Sequence, residues 1–409
     1  MAKQTLDRLD MAGRCVLVRV DFNVPLDDDL NVTDDRRIRM ALPTIRCARE
    51  AGAKVILMSH LGRSKGKADP RLSLKPAALR LGELLEADVQ MAPDCVGDEV
   101  RRMVDAMADG DVLVLENLRF HAGEEDNDPE FAGALASLAE VYVNDAFGTA
   151  HRKHASTYGV PARMPKGTRA IGFLIRKELR FLGEALETPE RPFVAVLGGA
   201  KVSDKIGVIE NLLGKVDRLL IGGAMAYVFM AAQERGVGKS KVERQVEKKG
   251  KTTDMVAVAR DLLEKIEAAD AEVLFPADHL VAREPTADAE TDVQSPDIED
   301  GWVGLDIGPE TVDLYREKLA DARTVVWNGP MGMFEVPPFA QGTRAVCETM
   351  AQAAEGGGTV IVGGGDTAAA VEKFGLAEQM THISTGGGAS LKFLEGKPFE
   401  TIDLIDEAE

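Results

Sequence analysis

Arg19, Arg37, Arg63, Arg119 and Arg152 stand behind short apolar runs in the first half of the sequence, in company with His60, His151 and His154. A guanidinium is a planar fork matched to phosphate and carboxylate oxygens. One such arginine is an ordinary surface ion pair, and one such histidine an ordinary structural hydrogen-bonder. Guanidiniums converging from five separate positions imply a small, multiply charged anion, with Asp21, Asn23 and Asn117 as polar companions.

The second half places glycine where the first places arginine: Gly198-Gly199-Ala200-Lys201, Gly222-Gly223, Gly329-Pro330 with Gly332, and Gly363-Gly364-Gly365-Asp366-Thr367. Lacking a Cβ, glycine lets backbone approach a phosphate and aim N–H groups at it, above all where a helix starts. Each set alone is a tight turn; together they read as a nucleotide phosphate site. Asp366 is the candidate ligand for the Mg2+ that phosphate oxygens need, a role compatible with capping the following Ala368-Ala369-Ala370 helix. Two familiar motifs fail. Gly238-Lys239-Ser240 ends like a P-loop, but Gln233 stands where its first glycine belongs. Gly363, Gly365 and Ala368 satisfy GxGxxA, yet no acidic residue closes the next strand at Thr381 to Ser384, which sets aside a dinucleotide dehydrogenase.

The elements that must position these groups follow from an alternation of short aliphatic runs with longer helical patterns. The runs are Val16 to Val20, Lys54 to Met58, Asp111 to Leu115, Val141 to Asn144, Phe193 to Leu197, Arg218 to Ile221, Glu272 to Phe275, Thr324 to Trp327 and Thr359 to Val362. That rhythm predicts parallel βαβ units, and the near-continuous apolar character predicts helices on both sheet faces. The fold class expected is α/β, with two Rossmann-like domains. Ile171 to Leu186 carries Phe173, Leu174, Leu179, Leu182 and Leu186 among charges and reads as a helix joining them. The expected division is residues 1–170, a joining helix at 171–186, and a second domain at 187–390. Lys239 to Lys251 reads as a solvated loop and helix start, and Ala287 to Gly301 as plain loop or helix.

A length of 409 residues suits two or three domains. The net charge of −19 argues against nucleic acid or an anionic membrane as the main partner, and makes a local basic cluster necessary for any anionic ligand. Cys15, Cys47, Cys95 and Cys347 are far apart, without CxxC or Cys/His ligand spacing, so neither a disulfide framework nor a zinc site is expected. MAKQTLDRLD lacks the apolar centre of a signal peptide, and Leu219 to Ala232 is too short to span a bilayer. The expectation is a cytoplasmic monomer acting on small molecules.

An anion domain joined to a nucleotide domain suggests phosphoryl transfer. No Asp–His pair or kinase-type HRD motif supplies a base, and a carboxylate or phosphate nucleophile, already ionised at pH 7, needs none. Ten ordered strings then carry a resemblance along essentially the whole chain: RVDFNVP (Arg19 to Pro25), RIRMALPTI (Arg37 to Ile45), SHLGR (Ser59 to Arg63), LENLRF (Leu115 to Phe120), NDAFGTAHRKHAS (Asn144 to Ser156), LGGAKVSDKI (Leu197 to Ile206), GLDIGP (Gly304 to Pro309), WNGPMGMFE (Trp327 to Glu335), GGGDT (Gly363 to Thr367) and STGGGAS (Ser384 to Ser390). The sequence resembles the phosphoglycerate kinase family.

That resemblance implies that Asp21, Phe22, Asn23, Arg37, His60, Leu61, Gly62, Arg63, Arg119 and Arg152 hold 3-phosphoglycerate. It implies that Lys201, Lys205, Gly222, Gly304, Asn328, Glu335, Gly364, Gly365, Asp366 and Thr367 hold ATP or ADP, with Glu335 on the ribose and Asp366 towards Mg2+. Arg37, Lys201, Lys205, Gly387 and Gly388 would attend the migrating phosphoryl, and domain closure would keep water from the acyl phosphate. It further implies that residues 391–409 return to the N-terminal domain. Ser64 replaces the proline often found after HLGR, which bears on loop geometry beside Arg63. A catalytically silent binding scaffold is disfavoured by intact Arg37, Lys205 and Asp366. A kinase for another small acid remains, separable by offering acetate or carbamate. If Val202 to Ile206 opens a helix, Lys201 and Lys205 share one face of it.

Overall fold

The aliphatic runs become two parallel six-stranded sheets in a computed structural model that describes residues 2–248 and 250–408. The first contains β1 (Cys15–Arg19), β2 (Lys54–Met58), β3 (Val89–Met91), β4 (Val112–Val114), β5 (Val141–Asn144) and β6 (Arg169–Ile171), in the order β3-β4-β2-β1-β5-β6. Every pairing within it is parallel. The central strands are buried at nearly every residue, which is why they carry no alternating polar face.

The second half begins with β7 (Phe193–Leu197) and β8 (Arg218–Ile221), then forms a hairpin of β9 (Gln245–Lys248) and β10 (Lys251–Asp254). It continues through β11 (Glu272–Leu274), β12 (His279–Ala282), β13 (Thr291–Gln294), β14 (Val303–Ile307), β15 (Thr324–Asn328), β16 (Thr359–Gly363) and β17 (His382–Ile383). The parallel sheet runs β11-β8-β7-β15-β16-β17, and β13-β12-β14 is a separate antiparallel sheet. Two expectations are corrected here. The segment from Ala287 to Gly301 contributes β13, and Lys239 to Lys251 contributes β9; Lys249 lies outside the described residues. Both strands are short and largely exposed, so no apolar pattern announces them.

Strand order determines where ligands can bind. In the first sheet β1 leads toward β2 on one side while β5 leads toward β6 on the other, so a crevice opens between their carboxyl ends. In the second, β7 leads toward β8 and β15 toward β16, which places the equivalent crevice between β7 and β15.

Two compact units result, Met1–Arg180 with Pro398–Glu409, and Phe181–Lys397. The first is built on Val16, Val18, Ile38, Ile45, Val55, Leu57 and their neighbours, the second on Val194, Val196, Leu220, Val325, Trp327, Val360 and theirs. The helix Phe173–Glu187 carries the chain from one to the other. The chain rejoins the first unit at Pro398, later than the expected 391. The reason is the helix Gly388–Leu394, which belongs to the second unit: Leu394 is fully buried, and its carbonyl accepts a 2.8 Å bond from Asn211 Nδ2. In the first unit the terminal segment is tied down by ion pairs from Arg169 to Asp406 and, at 2.6 Å, from Lys3 to Glu407. Among the described residues no helix is long and apolar enough to cross a membrane.

Candidate active site

At the β1/β5 crevice the first cluster is organised by a fully buried arginine. Arg19 ends β1 and donates to Val20 O, to Ser156 Oγ at 2.9 Å and to His60 Nδ1 at 3.2 Å. A guanidinium can only donate, so Nδ1 of His60 accepts and the imidazole proton sits on Nε2. Burial, reinforced by Arg19, Arg119 and Arg152 and opposed by Asp21, pushes the His60 pKa well below the ordinary 6.5. His60 is therefore a neutral hydrogen-bonder near pH 7. His154 is lowered to about 3 by burial first, then by Arg19, Arg152, Arg119 and His151. The same three guanidiniums act on both imidazoles although they come from β1 and from the loops after β4 and β5.

Arg119 is buried in the turn Leu118–Phe120; it donates to Gly62 O at 2.6 Å and lies 3.1 Å from Glu125 Oε1. Arg152 is exposed and donates through Nε to His151 Nε2 at 3.1 Å. Arg37, in the first turn of the helix Arg36–Glu50, reaches back to Asn23 O at 2.9 Å and Asp21 Oδ1 at 3.3 Å. Burial alone would raise the Asp21 pKa, but His60, Arg37 and Arg19 with the Asn23 amide outweigh it and hold the carboxyl below its usual range. Asn23 Oδ1 accepts from the Gly62 amide at 2.8 Å, which joins the loops after β1 and β2.

Phe22, Leu61 and Arg63 stand differently from these charged neighbours. Phe22 and Leu61 turn their side chains into the hydrophobic core, and the Phe22 amide is already bonded to Ser59 Oγ at 2.8 Å, because loop backbone beside a buried crevice needs apolar anchoring. Arg63 is exposed, with no side-chain partner among the described residues. Sequence reasoning missed Glu124, which is buried and accepts from Ser156 N at 2.9 Å and Ser156 Oγ at 2.6 Å, completing the chain of bonds behind Arg19. Nothing in its AGEE context distinguishes it from a solvated glutamate.

At the β7/β15 crevice lies a cavity of about 370 Å³, walled by Gly198, Gly199, Lys201, Lys205, Asn328, Gly329, Gly364, Gly365, Asp366, Thr367, Gly387 and Gly388 among others. Glycine is required at Gly329: φ is +105°, and a Cβ there would collide with the Gly198 backbone. Trp327 is fully buried, and its indole donates to Gly329 O at 2.8 Å. Thr367 Oγ1 accepts from Gly329 N at 2.7 Å, linking the loop after β15 to the helix Gly365–Lys373. The free amides of that helix's first turn border the cavity, as an anion site requires.

Lys205 and Lys201 both line this cavity but not as neighbours on one helical face. Val202–Asp204 is a tighter 3-10 turn and the α-helix begins only at Ile206, so Lys205 is buried while Lys201 is exposed. The Lys205 ammonium donates to Asn328 Oδ1. Burial lowers its pKa from 10.5 to about 8 against the opposing effects of Asp204 and Asp366. Asn328 Nδ2 is buried and has no partner among the described residues, a donor left for a ligand. Gly222, Gly304 and Glu335 are not in this wall. A Cβ at Gly222 would meet Met331 and one at Gly304 would meet Tyr227, so these glycines serve internal packing, and Glu335 is exposed.

Glycine loops admitting a polyphosphate, in a chain whose other unit gathers guanidinium groups, define a nucleotide-dependent phosphotransferase of the two-unit α/β class. Residues 6–397 match the family model for phosphoglycerate kinase. Phosphoglycerate kinases of an Anaeromyxobacter species and of Chloroherpeton thalassium are each 55% identical to this chain, covering 99% and 100% of it and 100% of their own lengths. The solved phosphoglycerate kinase of Coxiella burnetii is 39% identical with a TM-score of 0.86 and 98% of both chains covered. That of Pyrococcus horikoshii is 34% identical with a TM-score of 0.82, covering 99% of this chain and 98% of its own. The chain belongs to the phosphoglycerate kinase family, and it is a kinase.

Proposed function

We propose that the protein transfers a phosphoryl group reversibly between the acyl phosphate of 1,3-bisphosphoglycerate and ADP, giving 3-phosphoglycerate and ATP. The observation that carries this reading is the cavity that gathers Lys201, Lys205, Asn328 and Asp366 among four glycine-bearing loops. Arg37, Arg119 and Arg152 with His60 and Asn23 would bind the acid and its phosphate, and the glycine amides with Asn328 Nδ2 would bind the nucleotide phosphates. Lys205, a buried ammonium, would meet charge on the migrating group, where it is worth more than in water. Arg37 would serve the same charge from the first unit.

Asp366 is an exposed carboxylate in the cavity wall, and with phosphate oxygens it makes the all-oxygen donor set that suits Mg2+. That ion would neutralise charge on the nucleotide phosphates. No residue need act as base, since the attacking carboxylate or phosphate is already ionised. Direct transfer requires that both ligands be brought together with water excluded, so productive closure would follow the binding of both. The reading also places the protein in the cytoplasm as a monomer. The test is ATP-dependent turnover of 3-phosphoglycerate with and without Mg2+. Turnover of acetate or carbamate in place of 3-phosphoglycerate would reject the substrate assignment.

A further inference from the structure

Away from both sites, Asp94, Cys95 and His121 bring a carboxylate oxygen, a sulfur and a ring nitrogen within 4.8 Å of one another. Asp94 and Cys95 follow β3 and His121 follows β4, so two adjacent parallel strands deliver all three to one end of the first sheet. His121 Nε2 is 2.6 Å from Asp94 Oδ1, and its ring stacks on Phe131 with centroids 4.8 Å apart, which fixes its orientation. Ligands held about 2.0–2.3 Å from one tetrahedral ion stand roughly 3.3–3.8 Å apart, so the 2.6 Å His121–Asp94 contact would open and separations of up to 4.8 Å would close by about an ångström on binding. His121 also borders a cavity of about 420 Å³ together with Asp126 and Asp128.

We propose that Asp94, Cys95 and His121 bind a zinc-class divalent ion. Sulfur and imidazole donors favour Zn2+ or Co2+ over the Mg2+ that accompanies a nucleotide. Cys95 is fully buried and stands as a thiol, the donor of a hydrogen bond to Glu116 O. Binding releases that thiol proton to solvent and forms the sulfur–metal bond, giving up the 3.0 Å hydrogen bond from Sγ to Glu116 O. His121 gives up its 2.6 Å hydrogen bond from Nε2 to Asp94, its proton passes through solvent to Nδ1, and Nε2 coordinates, with the fourth position open to water. The sequence spacing gave no hint of the site, since a single Cys and a single His 26 residues apart match no ligand motif.

The experiment is a Co2+ titration of the full chain with Mg2+ in excess, read by absorption. A thiolate-to-cobalt charge-transfer band saturating at one equivalent and displaced by Zn2+ is expected. Cys95→Ser should abolish the band, Cys47→Ser should leave it, and His121→Asn should weaken Co2+ binding at least tenfold. His121 is only part-buried, so its variant carries the test if Cys95→Ser does not fold. Absence of the band, or a band of unchanged affinity in both His121→Asn and Cys95→Ser, overturns the site.

Discussion

The ammonium of Lys205 donates to Oδ1 of Asn328, and the amide nitrogen of the same Asn328 is buried in the cavity wall without a partner among the described residues. One residue thus orients a cation and offers a donor beside it. For a group that transfers between anions, such an arrangement is preorganised before any ligand arrives.

Lys205→Ala is expected to lower kcat by roughly 10²-fold or more, the scale for one lost electrostatic donor. Nucleotide and 3-phosphoglycerate dissociation constants should change far less, because the glycine loops and arginines remain. Single-turnover rates measured beside directly determined dissociation constants separate the cases. A tenfold weaker ATP affinity with near-normal turnover would make Lys205 a ground-state clamp.

The depressed Lys205 pKa predicts a pH limb. The free protein loses the ammonium as pH rises through about 8, so kcat/KM should fall above that pH with a single ionisation. Lys205→Arg, lower in activity at pH 7, should lack this limb because a guanidinium stays charged. A wild-type profile flat to pH 9.5 would contradict the assignment.

Arg119→Ala should chiefly raise KM for 3-phosphoglycerate, since Arg119 is held by Gly62 and Glu125 before any reaction begins. Collapse of kcat at constant KM would place Arg119 on the transferring group instead.

The C-terminal segment should matter to the first unit's ligand. Thr401 Oγ1 donates to Ala150 O, and the Phe399 ring lies 5.7 Å from that of Phe147 and 6.5 Å from that of His151, next to Arg152. Deleting residues 398–409 is expected to weaken 3-phosphoglycerate binding in calorimetry and to leave ATP binding unchanged. Thr401→Val, which leaves a buried carbonyl unpaired, should cost about 1–3 kcal/mol of stability.

His279 predicts acid sensitivity of the second unit. Burial, with help from Arg235 and against Asp278 and Asp297, lowers its pKa from 6.5 to about 4. Between those values the unfolded chain takes up a proton that the folded chain refuses, so stability is lost as pH falls from 6.5 toward 4, on the order of 3 kcal/mol from this group. Trp302 and Trp327, the two tryptophans, both lie in this unit and report its urea unfolding. The His279→Gln midpoint should fall less between pH 7 and pH 4.5 than the wild-type midpoint; equal falls would show that other groups control the loss.

The sequence by itself determined the parallel α/β class, because strands covered on both faces must be apolar throughout, and Val16 to Val20 or Phe193 to Leu197 can satisfy no other role. It also located the guanidiniums and glycines of the two halves, since they follow strands that the pattern already locates. The tertiary structure alone decided which residues meet. Strand order put β7 beside β15, and so brought Lys205 to Asn328 across 123 positions of sequence. Local geometry decided that Lys201 and Lys205 are not helical neighbours, since the 3-10 turn between them cannot be read from VSD. Burial decided the protonation of His60 and Lys205, which depends on the desolvation and charges that packing imposes and not on any motif. Glu124, and the Asp94, Cys95 and His121 group, were invisible in the sequence for the same reason: their partners come from other strand ends, and only folding supplies those distances.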